Sequence, residues 1–406
     1  MSLLAPAAEA EVAAAVVAAH DAGEPLLVFG NGTKSGFLRP VQAARSLSLG
    51  NHAGITLYAP KELVISARAG TPMRDLEAAV AASGQHIIAE PPDLSELLGS
   101  DGPRNGKAQT LGGVVATNLS GPRRVAWGAM RDHVLGVRAV NGRGEVIRSG
   151  GRVLKNVTGL DLCKLFCGSF GTLGVLTEIT LKVLPAPEAV GTLVLPGLDA
   201  ARGVAALSAA LGSPYGVSAA AWLPAEAAAR VPELAGFKGA VALARIEEFA
   251  PSVAYRTARL RADLAGFGNA EILDDAASRA LWRAVRDARP LPAEPEDGIW
   301  RISVRPSAGP DVARAVAALG GRSFLDWGGG LVWIAAPAEP SVHASVTAAA
   351  RAAGGIWTLL RAPAALRASL DVIPREPPPL AAITRRVKAA FDPKGILNPG
   401  RMYAGV

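Results

Sequence analysis

Short apolar runs separated by glycine-rich turns fill the first half of the chain. The alanine-rich stretch 2–22 predicts an amphipathic helix that Gly23 should end. The apolar run 26–29 predicts a buried strand. Residues 57–59 and 63–67 predict two strands that pair around a proline turn. This order of elements predicts a small mixed helix and sheet unit at the N-terminus.

The same pattern continues to residue 185. Thr71 is a predicted N-cap with Pro72 in the first helical position, and the apolar face of that helix runs to Gly84. A strand is predicted at 86–89. Further strands are predicted at 134–140, 145–149 and 175–183, the first two joined by the hairpin signal NGRG at 141–144.

Beyond residue 190 the pattern changes, and strand-like runs alternate with alanine-rich helical segments. This spacing predicts an antiparallel sheet with helices on one face, and hence an α+β fold. The prolines at 374 and 377–379 predict a stiff linker before a helix at 380–390. The predicted strands are 192–195, 217–222, 240–245, 300–304, 331–335 and 356–360.

Three glycine-rich loops carry the candidate chemistry. The first, GNGTKSG at 30–36, offers consecutive backbone N–H donors, two hydroxyls and the charge of Lys34, which together suit a diphosphate. The alternative is an ordinary turn, and the spacing of a P-loop or GxGxxG motif is absent. In the second loop, TLGGVVATN at 110–118, the Gly–Gly pair argues against a buried helix. The third loop, CGSFGTLGVLTEI at 167–179, leads into a strand.

These loops, with the tail FDPKGILNPGRM at 391–402, resemble the PCMH-type, or vanillyl-alcohol oxidase-type, FAD-binding superfamily. Within it, the chain is similar to the FAD-binding E subunits of bacterial glycolate oxidase. The resemblance implies a two-lobed FAD-binding domain over 1–185, with lobes at about 1–92 and 93–185. A cap domain over 186–376 and a C-terminal helix and tail over 377–406, which returns to the FAD-binding domain, would complete the fold.

By the same resemblance the cofactor is FAD, with the first two loops at the diphosphate and flavin and the third at the adenine. Its binding should be non-covalent, because residues 31–36 contain no histidine to form a covalent bond. The implied FAD-binding residues are Gly30, Asn31, Gly32, Thr33, Lys34, Ser35, Pro92, Thr110, Gly112, Gly113, Ala116, Thr117, Asn118, Gly168, Gly171, Gly174, Val175, Ile179 and Asn398.

The catalytic residues are less well defined. Related 2-hydroxy-acid dehydrogenases carry a metal-binding histidine cluster in the cap, where this chain has only His343, so no metal site is expected. His133 is a candidate base, although a structural role is favoured. Arg123 and Arg124 are candidates to bind a substrate carboxylate, with a salt-bridged surface pair as the alternative.

Electron transfer from this chain would need an acceptor. Two cysteines, Cys163 and Cys167, cannot ligate an iron–sulfur cluster, and we expect buried thiols. The resemblance therefore implies a complex with a second flavoprotein subunit and an iron–sulfur subunit, which oxidises glycolate to glyoxylate and receives the electrons. The alternatives are a self-sufficient FAD-dependent oxidase of another alcohol or 2-hydroxy acid, and a flavin-free scaffold subunit.

The length and net charge of the chain limit the classes of protein to which it can belong. The 406 residues allow two domains, and the net charge of +7 suits an acidic ligand or a solvated surface. No basic run with aromatic residues suggests nucleic acid, and no apolar window is long enough to predict a membrane span. The N-terminus has no Lys or Arg before Lys34, which argues against a secretory signal. A cytoplasmic protein is expected, either free or peripheral on the inner membrane face through its partners.

Overall fold

A computed structural model describes residues 2–98, 108–152 and 159–405. Its strands are β1 (Ser2–Leu4), β2 (Leu26–Phe29), β3 (Arg45–Ser48), β4 (Ile55–Ala59), β5 (Val64–Arg68), β6 (Gln85–His86), β7 (Val134–Val140), β8 (Val146–Gly150), β9 (Val175–Lys182), β10 (Leu184–Pro185), β11 (Ala189–Pro196), β12 (Val217–Leu223), β13 (Val241–Glu248), β14 (Glu271–Leu273), β15 (Asp297–Ser303), β16 (Arg322–Asp326), β17 (Leu331–Pro337) and β18 (Ile356–Arg361).

Its α-helices are α1 (Glu9–Ala22), α2 (Met73–Ala81), α3 (Ser95–Leu98), α4 (Leu111–Thr117), α5 (Arg124–Trp127), α6 (Met130–His133), α7 (Leu162–Phe166), α8 (Ala200–Leu211), α9 (Ala225–Ala228), α10 (Ala250–Asp263), α11 (Asp275–Arg286), α12 (Gly309–Ala317), α13 (Pro340–Ala352), α14 (Ala364–Ser369) and α15 (Pro378–Phe391). None of these helices is long and apolar enough to cross a bilayer, within the part of the chain that the structure describes.

The first strands form a small parallel sheet in the order β1-β3-β2. The predicted helix start at residue 2 is wrong, because β1 pairs with β3 and α1 begins only at Glu9. The Glu11 carboxylate caps α1 by accepting hydrogen bonds from the Ala7 and Ala8 N–H groups. The helix ends at Gly23 as predicted, with a φ of +66° that glycine adopts at no steric cost.

A five-stranded antiparallel sheet in the order β4-β5-β9-β7-β8 takes strands from both sides of residue 92. The predicted β4–β5 pair and β7–β8 hairpin are confirmed. Asn141 stabilises the hairpin turn, since its Oδ1 accepts hydrogen bonds from the Arg143 and Glu145 N–H groups.

Two local predictions in this region are wrong. The strand expected at 86–89 pairs only at Gln85–His86, because its partner β10 is itself two residues long. The apolar residues that follow are buried without joining a sheet. Helix α2 is capped at Pro72 rather than Thr71. The Thr71 hydroxyl instead donates to the Arg68 carbonyl at 2.7 Å, so it stabilises the turn before the helix and does not cap the helix.

The predicted antiparallel cap sheet is confirmed, with eight strands in the order β14-β11-β13-β12-β16-β17-β15-β18. The short strands β14 and β16 were not predicted, since three to five residues give little periodic signal. On one face, Trp300 donates its indole N–H to His343 of α13. Side chains alternate along a strand, so Arg301 lies on the opposite face.

The C-terminal segment returns to β2, as predicted. Leu397 forms a bridge with Leu26, and the Asn398 Oδ1 accepts a 2.7 Å hydrogen bond from the Val28 N–H. The prolines at 378 and 379 do not form a linker, because they occupy the first turn of α15. The N–H groups of the first turn have no partner within the helix, so a proline there removes no hydrogen bond. We propose domain boundaries near residues 185 and 376, between β10 and β11 and just before α15.

Candidate functional site

A cleft lies where the three glycine-rich loops and the C-terminal tail meet. It includes most of the residues expected to bind FAD. These are Gly30, Asn31, Gly32, Thr33, Lys34, Ser35, Thr110, Gly112, Gly113, Ala116, Thr117, Gly171, Gly174, Val175 and Asn398. Segments distant in sequence thus form one concave surface.

The first loop presents unused donors to this cleft. The backbone N–H groups of residues 31–34 make no hydrogen bond to any described residue. Gly32 has a φ of +77°, which a side chain would strain, and it turns the chain so that β2 leads directly into the loop. Consecutive free N–H groups of this kind form an anion-binding concavity.

Lys34 adds a half-buried cation beside these donors. Its Nζ donates to the Gln109 Oε1 at 2.8 Å and has no carboxylate partner within ion-pair distance among the described residues. Burial lowers the pKa of Lys34 to about 8, and the more distant Asp93 raises it less. A cation held this way gains stability when an anion binds, because the anion replaces lost hydration.

The second loop is helical, which corrects the expectation drawn from its two glycines. Thr110 caps α4, with its Oγ1 accepting the Gly113 N–H at 3.2 Å. A Cβ at Gly112 would lie 2.8 Å from the Ala69 Cβ, so close packing requires glycine there. A Cβ at Gly113 would meet only the Thr110 Oγ1, at 3.2 Å, so the protein itself leaves space at Gly113.

The tail closes the cleft from the other side. Asn398 Nδ2 donates to the Phe170 carbonyl at 2.8 Å, which ties the tail to the third loop. Arg401 Nη2 donates to the Lys34 carbonyl at 2.9 Å, which ties the tail to the first loop. Burial lowers the pKa of Arg401 to about 10, so it remains a cation at neutral pH.

Several lining residues were not predicted. Arg401 lies within the tail motif, and its positive charge was a signal that the sequence offered. The others are ordinary apolar residues in sequence, and only their position on the cleft distinguishes them: Leu27, Val28, Phe29, Leu49, Ala69, Phe170 and Leu176.

The remaining predicted FAD-binding residues do not line the cleft. Ile179 is fully buried in the core of the five-stranded sheet, and Pro92 is buried elsewhere. Gly168 donates its N–H to the Val115 carbonyl, and Asn118 ends α4 in a left-handed conformation.

The three catalytic candidates occupy separate environments. His133 is the last residue of α6, directly before β7, and it does not line the cleft. The N–H of Arg131 in the same helix donates at 3.0 Å to the side chain of Asn118, which follows the cleft residue Thr117. The His133 ring is buried, and burial lowers its pKa. His133 is therefore a buried side chain outside the cleft lining.

Arg123 and Arg124 do not act as a pair. Arg123 is nearly buried and donates to Glu247 of β13 at 2.7 Å. Glu90 and Arg245 complete this network, joined by two hydrogen bonds of 2.9 and 3.0 Å. Arg124 instead stacks on Trp327, with 4.6 Å between its guanidinium carbon and the ring centroid. Neither arginine forms the surface pair named as the alternative, because Arg123 is in an ion pair with the cap sheet and Arg124 stacks on an indole.

Other titratable side chains are mostly engaged. His343 accepts the Trp300 indole N–H at 3.2 Å. Cys163 and Cys167 are free, buried thiols, and burial raises the pKa of Cys167 to about 12. Within residues 2–98, 108–152 and 159–405, no group of three or more His, Cys, Asp or Glu side chains could hold a metal.

The cleft thus fits a large anionic ligand with a slender middle section. Free N–H donors, the two cations Lys34 and Arg401 and small residues in α4 suit a diphosphate, and apolar walls suit ring systems. The comparisons with known proteins agree. The FAD binding domain family matches residues 2–150, and the C-terminal domain of the FAD linked oxidases matches residues 373–402.

Solved structures show the same fold. A 4-ethylphenol oxidase from Gulosibacter chungangensis matches with a TM-score of 0.71 at 16% identity, covering 99% of this chain and 88% of that chain. A p-cresol methylhydroxylase matches with a TM-score of 0.71 at 14% identity, covering 98% of this chain and 88% of that one. The chain is an FAD-dependent oxidoreductase of the FAD-linked oxidase class, which acts on CH–OH groups.

Its family is more specific. The chain is 35% identical to the glycolate oxidase subunit GlcE of Escherichia coli over 94% of its own length and 93% of the relative. It is 31% identical to the glycolate oxidase subunit GlcD of Bacillus subtilis, over 48% of this chain and 39% of that one. The chain belongs to the family of the glycolate oxidase subunit GlcE.

Proposed function

We propose that FAD lies in the loop cleft with its diphosphate on the free N–H groups of residues 31–34. Lys34 and Arg401 supply positive charge, and α4 passes beside the chain of the cofactor with Gly113 facing it. Bound FAD supplies the capacity to accept a hydride. The protein residues bind it, hold its orientation and exclude water through the apolar walls.

This arrangement predicts pH-dependent FAD binding. A bound diphosphate favours the charged form of Lys34 and raises its pKa above the free value of about 8. Binding therefore takes up a proton above pH 8, and we expect the affinity to fall there by up to about tenfold per pH unit. Titrating the apoprotein with FAD between pH 6.5 and 9.5 measures this slope.

The Lys34→Met variant is the test of that assignment. It should bind FAD more weakly at pH 7 and lose the added slope above pH 8. Lys61→Met, on the turn between β4 and β5 and outside the cleft, should retain both the affinity and the slope. An unchanged slope in Lys34→Met would contradict the assignment.

Bound FAD is predicted to be non-covalent. Among the described residues that line the cleft, none is a His, Cys or Tyr that could form a bond to the flavin. Acid precipitation should therefore release the yellow colour into the supernatant. Flavin fluorescence that stays on the denatured protein band would contradict this.

We further propose that the chain is the FAD-binding subunit of a glycolate oxidase complex that oxidises glycolate to glyoxylate. The observation that carries this proposal is its similarity to GlcE over nearly the full length of both chains. The partial similarity to GlcD supports a second flavoprotein subunit as partner. An iron–sulfur subunit would then receive the electrons.

The environments of the histidines support dependence on partners. A positioned base contributes about 10²–10⁴-fold to proton transfer. His343 is engaged with Trp300 on the helix-covered face of the cap sheet, and His133 is buried beside the end of α4. Neither side chain lines the cleft in which we place the cofactor.

The deciding experiment compares glycolate oxidation by the purified chain alone and by the chain co-expressed with its partner subunits, using an artificial electron acceptor. We expect little turnover from the chain alone and activity in the complex. Robust turnover by the single chain, lost in His133→Ala, would instead establish a self-sufficient oxidase. Normal flavin content in both samples is the control.

A further inference from the structure

A cluster on the inner face of the cap sheet is separate from the cleft residues. We call it the Arg301 cluster, and it consists of Arg301, Asp326, Trp327 and Trp333. Arg301 on β15 is the direct cross-strand neighbour of Trp333 on β17. The guanidinium carbon of Arg301 lies 4.9 Å from the Trp333 ring centroid and 5.4 Å from that of Trp327. Two indoles therefore frame one cation.

Two donors of this cluster are unsatisfied. The Arg301 Nε and the Trp333 Nε1 are buried and have no hydrogen-bond partner among the described residues. Burial lowers the pKa of Arg301 to about 10, which leaves it charged at neutral pH. Asp326 is near but too far away to form an ion pair, and its only described hydrogen bond comes from the Trp327 N–H.

Such an arrangement is costly without a ligand. Stacking on indole rings stabilises a guanidinium but satisfies none of its N–H donors. Buried donors without acceptors are rare in folded proteins because each one loses its hydrogen bond to water. Arg301 as a whole keeps partial solvent exposure.

The backbone at this point is also unusual. Trp327 has a φ of +54°, a conformation that bulky residues rarely adopt and that is often found at functional sites. Its indole N–H donates to the Gly121 carbonyl at 3.1 Å, just after the second loop. On the same ring lies Arg124, 4.6 Å from the centroid. A second cation from the FAD-binding part of the chain thus faces the cluster.

We propose that the Arg301 cluster is a binding site for a small carboxylate. The guanidinium of Arg301 and the indole N–H of Trp333 donate to the carboxylate oxygens, and Arg124 adds positive charge. Fork-shaped guanidinium donors match the planar carboxylate group. The carboxylate site itself does not depend on the proposed function. Only the identity of its physiological ligand, a 2-hydroxy acid or its oxidation product, rests on that function, and binding involves no redox step.

Asp326 gives the site its pH dependence. Burial raises the pKa of Asp326 to about 7, with Glu90 raising it further and Arg245 and Arg301 lowering it. Below that pH the Asp326 side chain is neutral and does not repel the carboxylate of the ligand. As the pH rises through about 7, the Asp326 carboxylate forms and repels the ligand, so affinity should fall.

The test uses the full-length, FAD-loaded protein and two probes, glycolate and acetate. Binding is followed by calorimetry and by the fluorescence of the tryptophans at pH 6 and pH 8.5. Arg301→Gln should weaken binding of both probes by at least about tenfold. Trp333→Phe keeps the ring and removes the donor, so it should weaken binding to a smaller extent.

A matched control exists on another tryptophan. Arg351 stacks on Trp357 at 4.8 Å and is solvent-exposed, so Arg351→Gln removes an arginine–indole pair but no buried donor. It should bind both probes as the wild type does. Asp326→Asn should abolish the loss of affinity between pH 6 and 8.5. Flavin absorbance near 450 nm and the melting temperature report folding of each variant.

The outcomes separate this inference from the proposed function. Equal probe binding by wild type, Arg301→Gln and Trp333→Phe, all folded and flavin-loaded, would overturn the carboxylate site. Carboxylate binding lost in Arg301→Gln supports it, even if the reconstituted complex never oxidises glycolate. In that case only the proposed reaction fails.

Discussion

Replacing Lys388 with methionine should lower the free energy of unfolding by about 3–5 kcal/mol, because it leaves a buried charge unpaired. Lys388 in α15 bonds the Asp392 carboxylate at 2.7 Å, and the Asp392 side chain is fully buried. The same Nζ donates to the Thr172 carbonyl at 2.7 Å and to the Leu397 carbonyl at 2.9 Å. One lysine thus joins the tail, the last helix and the third loop.

Denaturant titration of the FAD-loaded protein measures this loss. Lys394→Met is the matched control, since that ammonium bonds only the His20 carbonyl at an exposed position, and its effect should stay within about 0.5 kcal/mol. Lys388→Met combined with Asp392→Asn should recover part of the stability by removing the unpaired charge. A double variant as unstable as the sum of both single variants would argue against a coupled ion pair.

Replacing Gly113 with valine should weaken FAD binding by about tenfold to a hundredfold, since overpacking costs about 1–3 kcal/mol. A Cβ at Gly113 meets only the Thr110 Oγ1, at 3.2 Å, while the residue lines the cleft. The valine Cβ therefore requires the Thr110 hydroxyl to shift by a few tenths of an ångström, and the added methyl groups compete with the ligand for the cleft. Flavin content after purification and the dissociation constant for FAD measure the loss.

Gly36→Val is the matched control for this prediction. Gly36 follows the first loop and does not line the cleft, and a Cβ placed on it would meet no other part of the protein within 4 Å. Arg289→Ala, at an exposed arginine near Glu96, serves as a distant control. Both controls should keep their flavin. Equal flavin content in Gly113→Val and Gly36→Val would show that the cofactor does not pass α4.

The sequence alone determined the elements whose signals are local. Gly23 ends α1 because a left-handed residue is needed there, and Asn141 builds its hairpin from its own side chain. The glycine-rich loops were recognisable because their composition differs from that of helices and strands. Resemblance of those loops to a known superfamily led from composition to FAD and to the family.

Only the tertiary structure decided which residues meet. Residues 2–4 form a strand because they pair in parallel with β3. Gly112 is required inside a helix because Ala69 packs too close for a side chain there. Arg123 and Arg124 are neighbours in sequence, yet each meets a different partner that is distant along the chain. Such contacts have no local periodicity, so the sequence pattern contains no signal for them, and burial and distance settle each one.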